Sequence, residues 1–337
     1  MERKTALLCT VDGGTLRDMS LMNPENPQPL LSRNRCAPAA FRRTARGLLA
    51  CALFPGLLWA VSGTSNASLP ESVVFVGKPR FEKLIERGVR ENWKALPLGE
   101  RTTRAGLSLV GTPYVNYTLE LHDRIESPSA NINGMDCWTF FEIALATARV
   151  LKTTDQPTPQ DFLRFIEMDR YRGGKCDGTF SSRLHHLEDW LQDNQKRGLI
   201  KDITPSLPGA RKLNRTMNYM GGKGSRHFRQ LRADPSQIPK LARVEKTLSD
   251  RGIWYVPKGS VRAAEKHIRN GDIICIVTTW HGSYTSHVGL AVRDKQGTLR
   301  FLHASRNEKK VILDSRLSDY LNRYKLHAGI MVARPVE

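Results

Sequence analysis

The stretch Asn133-Gly134-Met135-Asp136-Cys137-Trp138-Thr139-Phe140-Phe141-Glu142 constrains this chain more than any other. A glycine-bearing turn runs into Asp136. Its carboxylate suits an N-cap because it accepts from N–H groups that the first helical turn leaves unpaired. An apolar run from Phe140 to Val150 follows at once, so a helix is expected to open at or beside Cys137 and to end near Thr153. At a helix start the macrodipole favours an anion, which lowers a thiol pKa and makes thiolate available near neutral pH. The competing reading is an inert cysteine that opens a core helix. The rest of the chain has to supply a base.

On the N-terminal side, Phe81, Leu84, Ile85 and Val89 recur at helical spacing and predict a short amphipathic helix over 79–89. A second helix is expected over 101–110, before the turn Gly111-Thr112-Pro113. Residues 114–117 and 119–121 read as extended, and 122–134 as a polar loop. Beyond the Cys137 helix, Pro157 and Pro159 mark a linker into a helix from Gln160 to Met168. Residues 169–174 read as a short strand and turn. Ser181 or Ser182 then caps a helix carrying Leu184, Leu187, Trp190 and Leu191, which ends near Gly198. His185 and His186 are expected there as solvated helix residues. The basic stretch 196–246 reads as a surface insertion near the site. Its Met220–Ser225 run lacks the spacing of a phosphate loop.

The last third is rich in strand signals. Asn270-Gly271-Asp272 turns into Ile273–Thr279, an almost unbroken apolar strand suited to a sheet centre, with Cys275 as a core residue. Residues 287–292 and 298–303 form a hairpin joined by Lys295-Gln296-Gly297. A three-residue loop with Gly297 in the left-handed position pairs Asp294 with Thr298 and sets His303 opposite Gly289. His303 is then a diagonal neighbour of His287 on one sheet face. A four-residue loop would put the two imidazoles on opposite faces.

A helix that begins with Cys, followed by this antiparallel sheet, describes an α+β domain. Two histidines on one sheet face, if packed against a helix that begins with Cys, give a nucleophile, a base and a group that orients the base. Cys137 as thiolate attacks an amide carbonyl. His287 protonates the departing amine, and His303 holds the His287 ring. The Cys137 backbone N–H suits the oxyanion. Trp280 and His281 lie in the loop before His287 and are candidates for lining the substrate cleft. No metal or organic cofactor is implied.

Residues 1–67 read as a leader and export signal. Arg42, Arg43 and Arg46 precede the apolar run 47–61, and Asn66-Ala67 lies before a cut at Ser68. Leu48-Leu49-Ala50-Cys51 resembles a lipoprotein box, but most of the apolar run lies after it. No transmembrane anchor is expected, since the run is too short and is broken by Pro55-Gly56. Removing the leader takes Cys9, Cys36 and Cys51 with it. Cys137, Cys176 and Cys275 remain, an odd number that leaves at least one thiol unpaired within the chain and a Cys176–Cys275 disulfide open. The formal net charge of +19 draws polyanions. No recognition-helix, zinc-finger or aromatic ribonucleoprotein signature is present, so nucleic acid is not the expected partner.

The order Gly111-Thr112-Pro113-Tyr114-Val115, Asp136-Cys137, His287-Val288-Gly289 and His303 resembles the NlpC-type papain-fold cell-wall hydrolases. The form Asp-Cys-x-Thr-Phe-x-Glu, with Arg170-Tyr171-Arg172-Gly173 and Leu302-His303-Ala304-Ser305, resembles their N-acetylmuramoyl-L-alanine amidase-like branch. The resemblance spans 81–333. It implies Cys137 as nucleophile, His287 as base and His303 as third member, with Tyr114 lining the site and donating to the oxyanion or substrate. The implied partner is peptidoglycan or its muropeptides, cut at the lactyl–L-Ala amide or within the stem peptide, by a protein exported to the periplasm or cell envelope. The usual Asp-Cys-Ser-Gly is Asp-Cys-Trp-Thr here, so Trp138 makes a bulkier wall beside the nucleophile. The expected architecture is one catalytic domain over 68–337 with the basic insertion near 196–246. Its alternatives are an endopeptidase, an acyltransferase of related fold, and a binding module that holds an envelope polymer without turnover.

Overall fold

The computed structural model describes residues 69–337. The expected export signal, its cut before Ser68, and Cys9, Cys36 and Cys51 lie outside those residues. In chain order, α1 (Glu71–Val74) leads into β1 (Phe75–Val76), α2 (Lys78–Arg90) and α3 (Leu98–Ser108). Next come β2 (Ala130–Asn131), α4 (Cys137–Thr153), α5 (Pro159–Arg170) and α6 (Leu187–Lys196). The middle contributes β3 (Ile200–Asp202), β4 (Arg211–Leu213), α7 (Arg229–Ala233) and α8 (Ile238–Arg251). The C-terminal part runs β5 (Ile253–Pro257), α9 (Val261–Ala264), β6 (Ile273–Thr278), β7 (Thr285–Arg293) and β8 (Leu299–Ser305), then β9 (Lys310–Arg316), α10 (Leu317–Arg323) and β10 (His327–Pro335).

The main sheet has the order β4-β5-β10-β6-β7-β8-β9, with β3 also pairing with β10, and every pairing is antiparallel. Strand alternation gives it two buried faces. Ile273, Cys275, Val277, Val288, Leu290 and Leu302 point to the side covered by α4. Ile274, Ile276, Ala291 and Phe301 point to the side covered by α9 and α10, through Val261, Leu317 and Tyr320. Helix α4 is buried along almost its whole length, from Cys137 to Leu151. It packs on α3, α5, β7 and β8. A helix apolar nearly all round can be stable in water only as the centre of such a core.

Several expectations need correction. Residues 114–121 form no strand beyond single bridges of Pro113 and Tyr114. Within the polar loop, Ala130 and Asn131 pair in parallel with β1. Asp169 and Arg170 complete α5, and only Tyr171 makes a bridge, with Arg183. The helix expected from Ser181 starts at Leu187, because Phe180–Ser182 make one tight turn of their own. His185 and His186 are therefore not solvated helix residues. His185 Nε2 lies 2.7 Å from the Phe180 carbonyl, and His186, 2% exposed, stands 3.6 Å from Glu245 of α8. The basic stretch is woven into the sheet through β3 and β4 and builds a small core from Phe180, Met220, Phe228, Leu231 and Leu241. Among the described residues no disulfide forms, so Cys176 and Cys275 do not pair.

Candidate active site

Asp136 caps α4 as its sequence demands. Its Oδ1 accepts from the Thr139 N–H at 2.8 Å, and the Thr139 hydroxyl accepts from the Asp136 N–H at 3.0 Å. This reciprocal box fixes the first turn and makes Cys137 its first residue, fully buried. Tyr114 reaches the same place by main-chain pairing. It bridges Met135, two residues before the cysteine, and its N–H donates to the Lys309 carbonyl at 2.8 Å.

The hairpin closes in the register that Gly297 demands. Gly297 has φ +75°, and the Asp294 N–H donates to the Thr298 carbonyl at 3.0 Å. Leu290 pairs with Leu302 and Arg293 with Leu299. A side chain at Gly289 would meet the Cβ of His303 at 2.8 Å and the Leu302 carbonyl at 2.5 Å, so the residue opposite His303 has to be glycine. His287 Nε2 and His303 Nδ1 are 2.8 Å apart, with both residues nearly inaccessible. Phe301 stacks on His303 at 4.6 Å, and Tyr320 of α10 packs against both imidazoles. The histidines thus share a face, but it is the face of Phe301 and Tyr320. The body of α4 lies on the other side of the sheet, against Val288, Leu290 and Leu302.

Trp138 is 6% exposed and donates from Nε1 to Glu142 Oε1 at 2.8 Å. Glu142 Oε2 in turn accepts from Arg170 Nε at 2.7 Å, and Arg170 also donates to the Ser129 carbonyl. Burial raises the Glu142 carboxyl above its ordinary value even with Arg170 beside it. This buried pair explains why the sequence carries Glu142 and Arg170: they hold the indole next to Cys137. Trp138 and Asp136 line a hollow with Glu120, Phe180, Arg183 and Phe228.

Trp280 is partly buried and His281 exposed in the β6–β7 loop. Sequence reasoning missed what holds this loop. Arg215 donates to the carbonyls of Thr278, Trp280 and Ser283, and Tyr219 packs edge-on against Trp280 at 5.6 Å. Burial drives the thiols of Cys275 and Cys176 up, away from thiolate character. Among the described residues no group of His, Cys, Asp or Glu could hold a metal ion.

The family description AmiA-like, N-acetylmuramoyl-L-alanine amidase-like, matches residues 104–330. A crystal structure of an N-acetylmuramoyl-L-alanine amidase from Bacteroides uniformis is 31% identical, covering 71% of this chain and 99% of its own, with a TM-score of 0.65. A structure from Bacteroides fragilis described as a candidate xylanase is 38% identical, covering 68% of this chain and 98% of its own, with a TM-score of 0.61. A Legionella pneumophila protein shares the fold at 22% identity and a TM-score of 0.58, covering 77% of this chain and 95% of its own. Among curated proteins none matches. The chain belongs to the N-acetylmuramoyl-L-alanine amidase-like family.

Proposed function

We propose that the chain hydrolyses the amide between the lactyl group of N-acetylmuramic acid and L-Ala, with Cys137 as nucleophile, His287 as base and His303 as the residue that orients it. The observation that carries this reading is the buried 2.8 Å contact between His287 Nε2 and His303 Nδ1. It occupies one ring nitrogen of His287 and makes Nδ1 the nitrogen that takes the thiol proton. The thiolate attacks the lactyl carbonyl, and the Cys137 N–H and the Tyr114 hydroxyl receive the oxyanion. The imidazolium protonates the departing L-Ala amine, and water then releases the thioester with His287 as base. Trp138, Trp280 and His281 line the groove for the substrate. The architecture is a papain-like, NlpC-type domain over 68–337, exported by its leader to the periplasm or cell envelope. Among the described residues no helix is long and apolar enough to cross a membrane.

The Bacteroides fragilis neighbour raises glycoside cleavage as a second reading. That chemistry needs two carboxyl groups across the scissile bond. Glu120 and Asp136 both line the hollow, but Asp136 is engaged as the α4 cap. Incubating the full chain with muropeptides and with xylan, and resolving products by mass spectrometry, separates the two. Release of stem peptide with a new L-Ala amine, lost in Cys137→Ala, is the expected result. Equal release by Cys137→Ala, or cleavage of xylan alone, would overturn the reading.

A further inference from the structure

We propose that Asp314 is a fourth member of the site, a positioning residue that sets the protonation of both imidazoles so that His287 Nδ1 is the basic nitrogen. This rests on the reading of Cys137 as nucleophile. Beyond His303 the hydrogen-bond chain continues: His303 Nε2 lies 3.4 Å from Asp314 Oδ2. The strand geometry is built to bring that carboxylate there. Arg300 pairs with Arg316 and Leu302 with Leu313, so the single residue Phe301 faces both Asp314 and Ser315. This is a β-bulge, a device that re-aims a side chain beside a site. Asp314 is also held from other directions. Arg323 of α10 and the Ser315 N–H donate to Oδ1, and Arg300 Nε donates to its main-chain carbonyl at 2.9 Å. Burial alone would raise this carboxyl, but the hydrogen bonds from His303, Ser315 and Arg323 hold it well below the usual carboxylate range. It is therefore an acceptor at every pH at which the protein would work.

An acceptor-only partner decides the tautomers in turn. A carboxylate at His303 Nε2 requires the proton on that nitrogen, which leaves Nδ1 as a lone pair. That lone pair requires the proton of His287 on Nε2, which leaves its Nδ1 as the base. Reversing the chain would place a proton on His287 Nδ1, where it could not accept from the thiol. When the thiol proton arrives at His287 Nδ1, the positive charge is held through His303 by the fixed carboxylate. No proton needs to leave for Asp314.

Long-range proton–nitrogen NMR of the histidine rings in the full chain reads the tautomers without turnover. Wild type should show His303 protonated on Nε2 with Nδ1 as the lone pair, and His287 protonated on Nε2, with its Nδ1 carrying the proton taken from Cys137 in wild type and a lone pair in Cys137→Ala. In Asp314→Asn, whose amide can donate as well as accept, that preference should weaken. The same substitution should lower kcat on muropeptide at least about tenfold with KM little changed, and Asp314→Glu should restore part of it. A purely structural Asp314 would change thermal stability without moving tautomers or kcat in folded protein. Finding His303 protonated on Nδ1 in wild type, or full kcat in folded Asp314→Asn, would overturn the proposal. If instead Cys137→Ala retained cleavage, the nucleophile assignment would fail, while the ring tautomers would still decide the relay.

Discussion

Replacing Arg170 by Met should be among the most damaging single changes available outside the catalytic groups. Its guanidinium is fully buried, 2.7 Å from Glu142 Oε2 and 2.7 Å from the Ser129 carbonyl. Methionine fills much of the space but supplies neither donor. Glu142 is then left buried with only the Trp138 indole N–H as partner. Removing one side of a buried pair costs about 3–5 kcal/mol, mostly because the remaining charge has lost its compensation. For a domain of this size that corresponds to a fall in Tm of roughly 6–20 °C. The double variant Glu142→Leu/Arg170→Met removes both charges, and should recover most of the loss. It should fall short by the bond that Trp138 gives up, about 1 kcal/mol. Urea unfolding of wild type, both single variants and the double variant gives the coupling directly. A cost below about 1 kcal/mol for Arg170→Met, with no coupling to Glu142, would refute the idea that this pair pins the Trp138 wall.

Two further outcomes follow from the geometry. Arg215→Ala should raise KM more than it lowers kcat in steady-state kinetics, because the carbonyls of Thr278, Trp280 and Ser283 lose their shared donor while the histidine pair is untouched. In acid, Asp314 binds its proton less readily folded than unfolded, so its stabilising contribution is present above the unfolded value of about 3.9 and is lost as pH falls through the lower folded value. Wild type should therefore lose more urea resistance than Asp314→Asn between pH 6 and pH 3, and equal losses would count against that ionisation.

Local signals were enough for the parts of the site that are close in sequence. The α4 start follows from Asp136 and Thr139, which cap each other three residues apart. The hairpin register follows from Gly297, whose backbone the loop needs in the left-handed region. Both are decided within a few residues, so they can be read directly. What could not be read depends on distant partners. His186 looks like a solvated residue until α8 arrives to cover it, and His185 until it packs on Phe180. Arg215 belongs to a charged stretch that resembles many solvated loops, and its three acceptors lie more than sixty residues away. Asp314 carries no local mark at all, since its role comes from a bulge that only the pairing of β8 with β9 creates. Which layer covers the histidines is a related case. Alternation fixed which side chains share a face, but only the packing of α4 and α10 shows which layer covers it.

Catalysis as proposed requires Cys137 to be a thiolate made by His287. The ultraviolet absorbance of the thiolate, taken as wild type minus Cys137→Ser across pH, measures this without substrate. Thiolate should appear well below the ordinary thiol value of about 8.5, and should be lost at neutral pH in His287→Ala. A difference signal that rises only at or above about 8.5, unchanged by His287→Ala, is what a plain core cysteine would give and would contradict it.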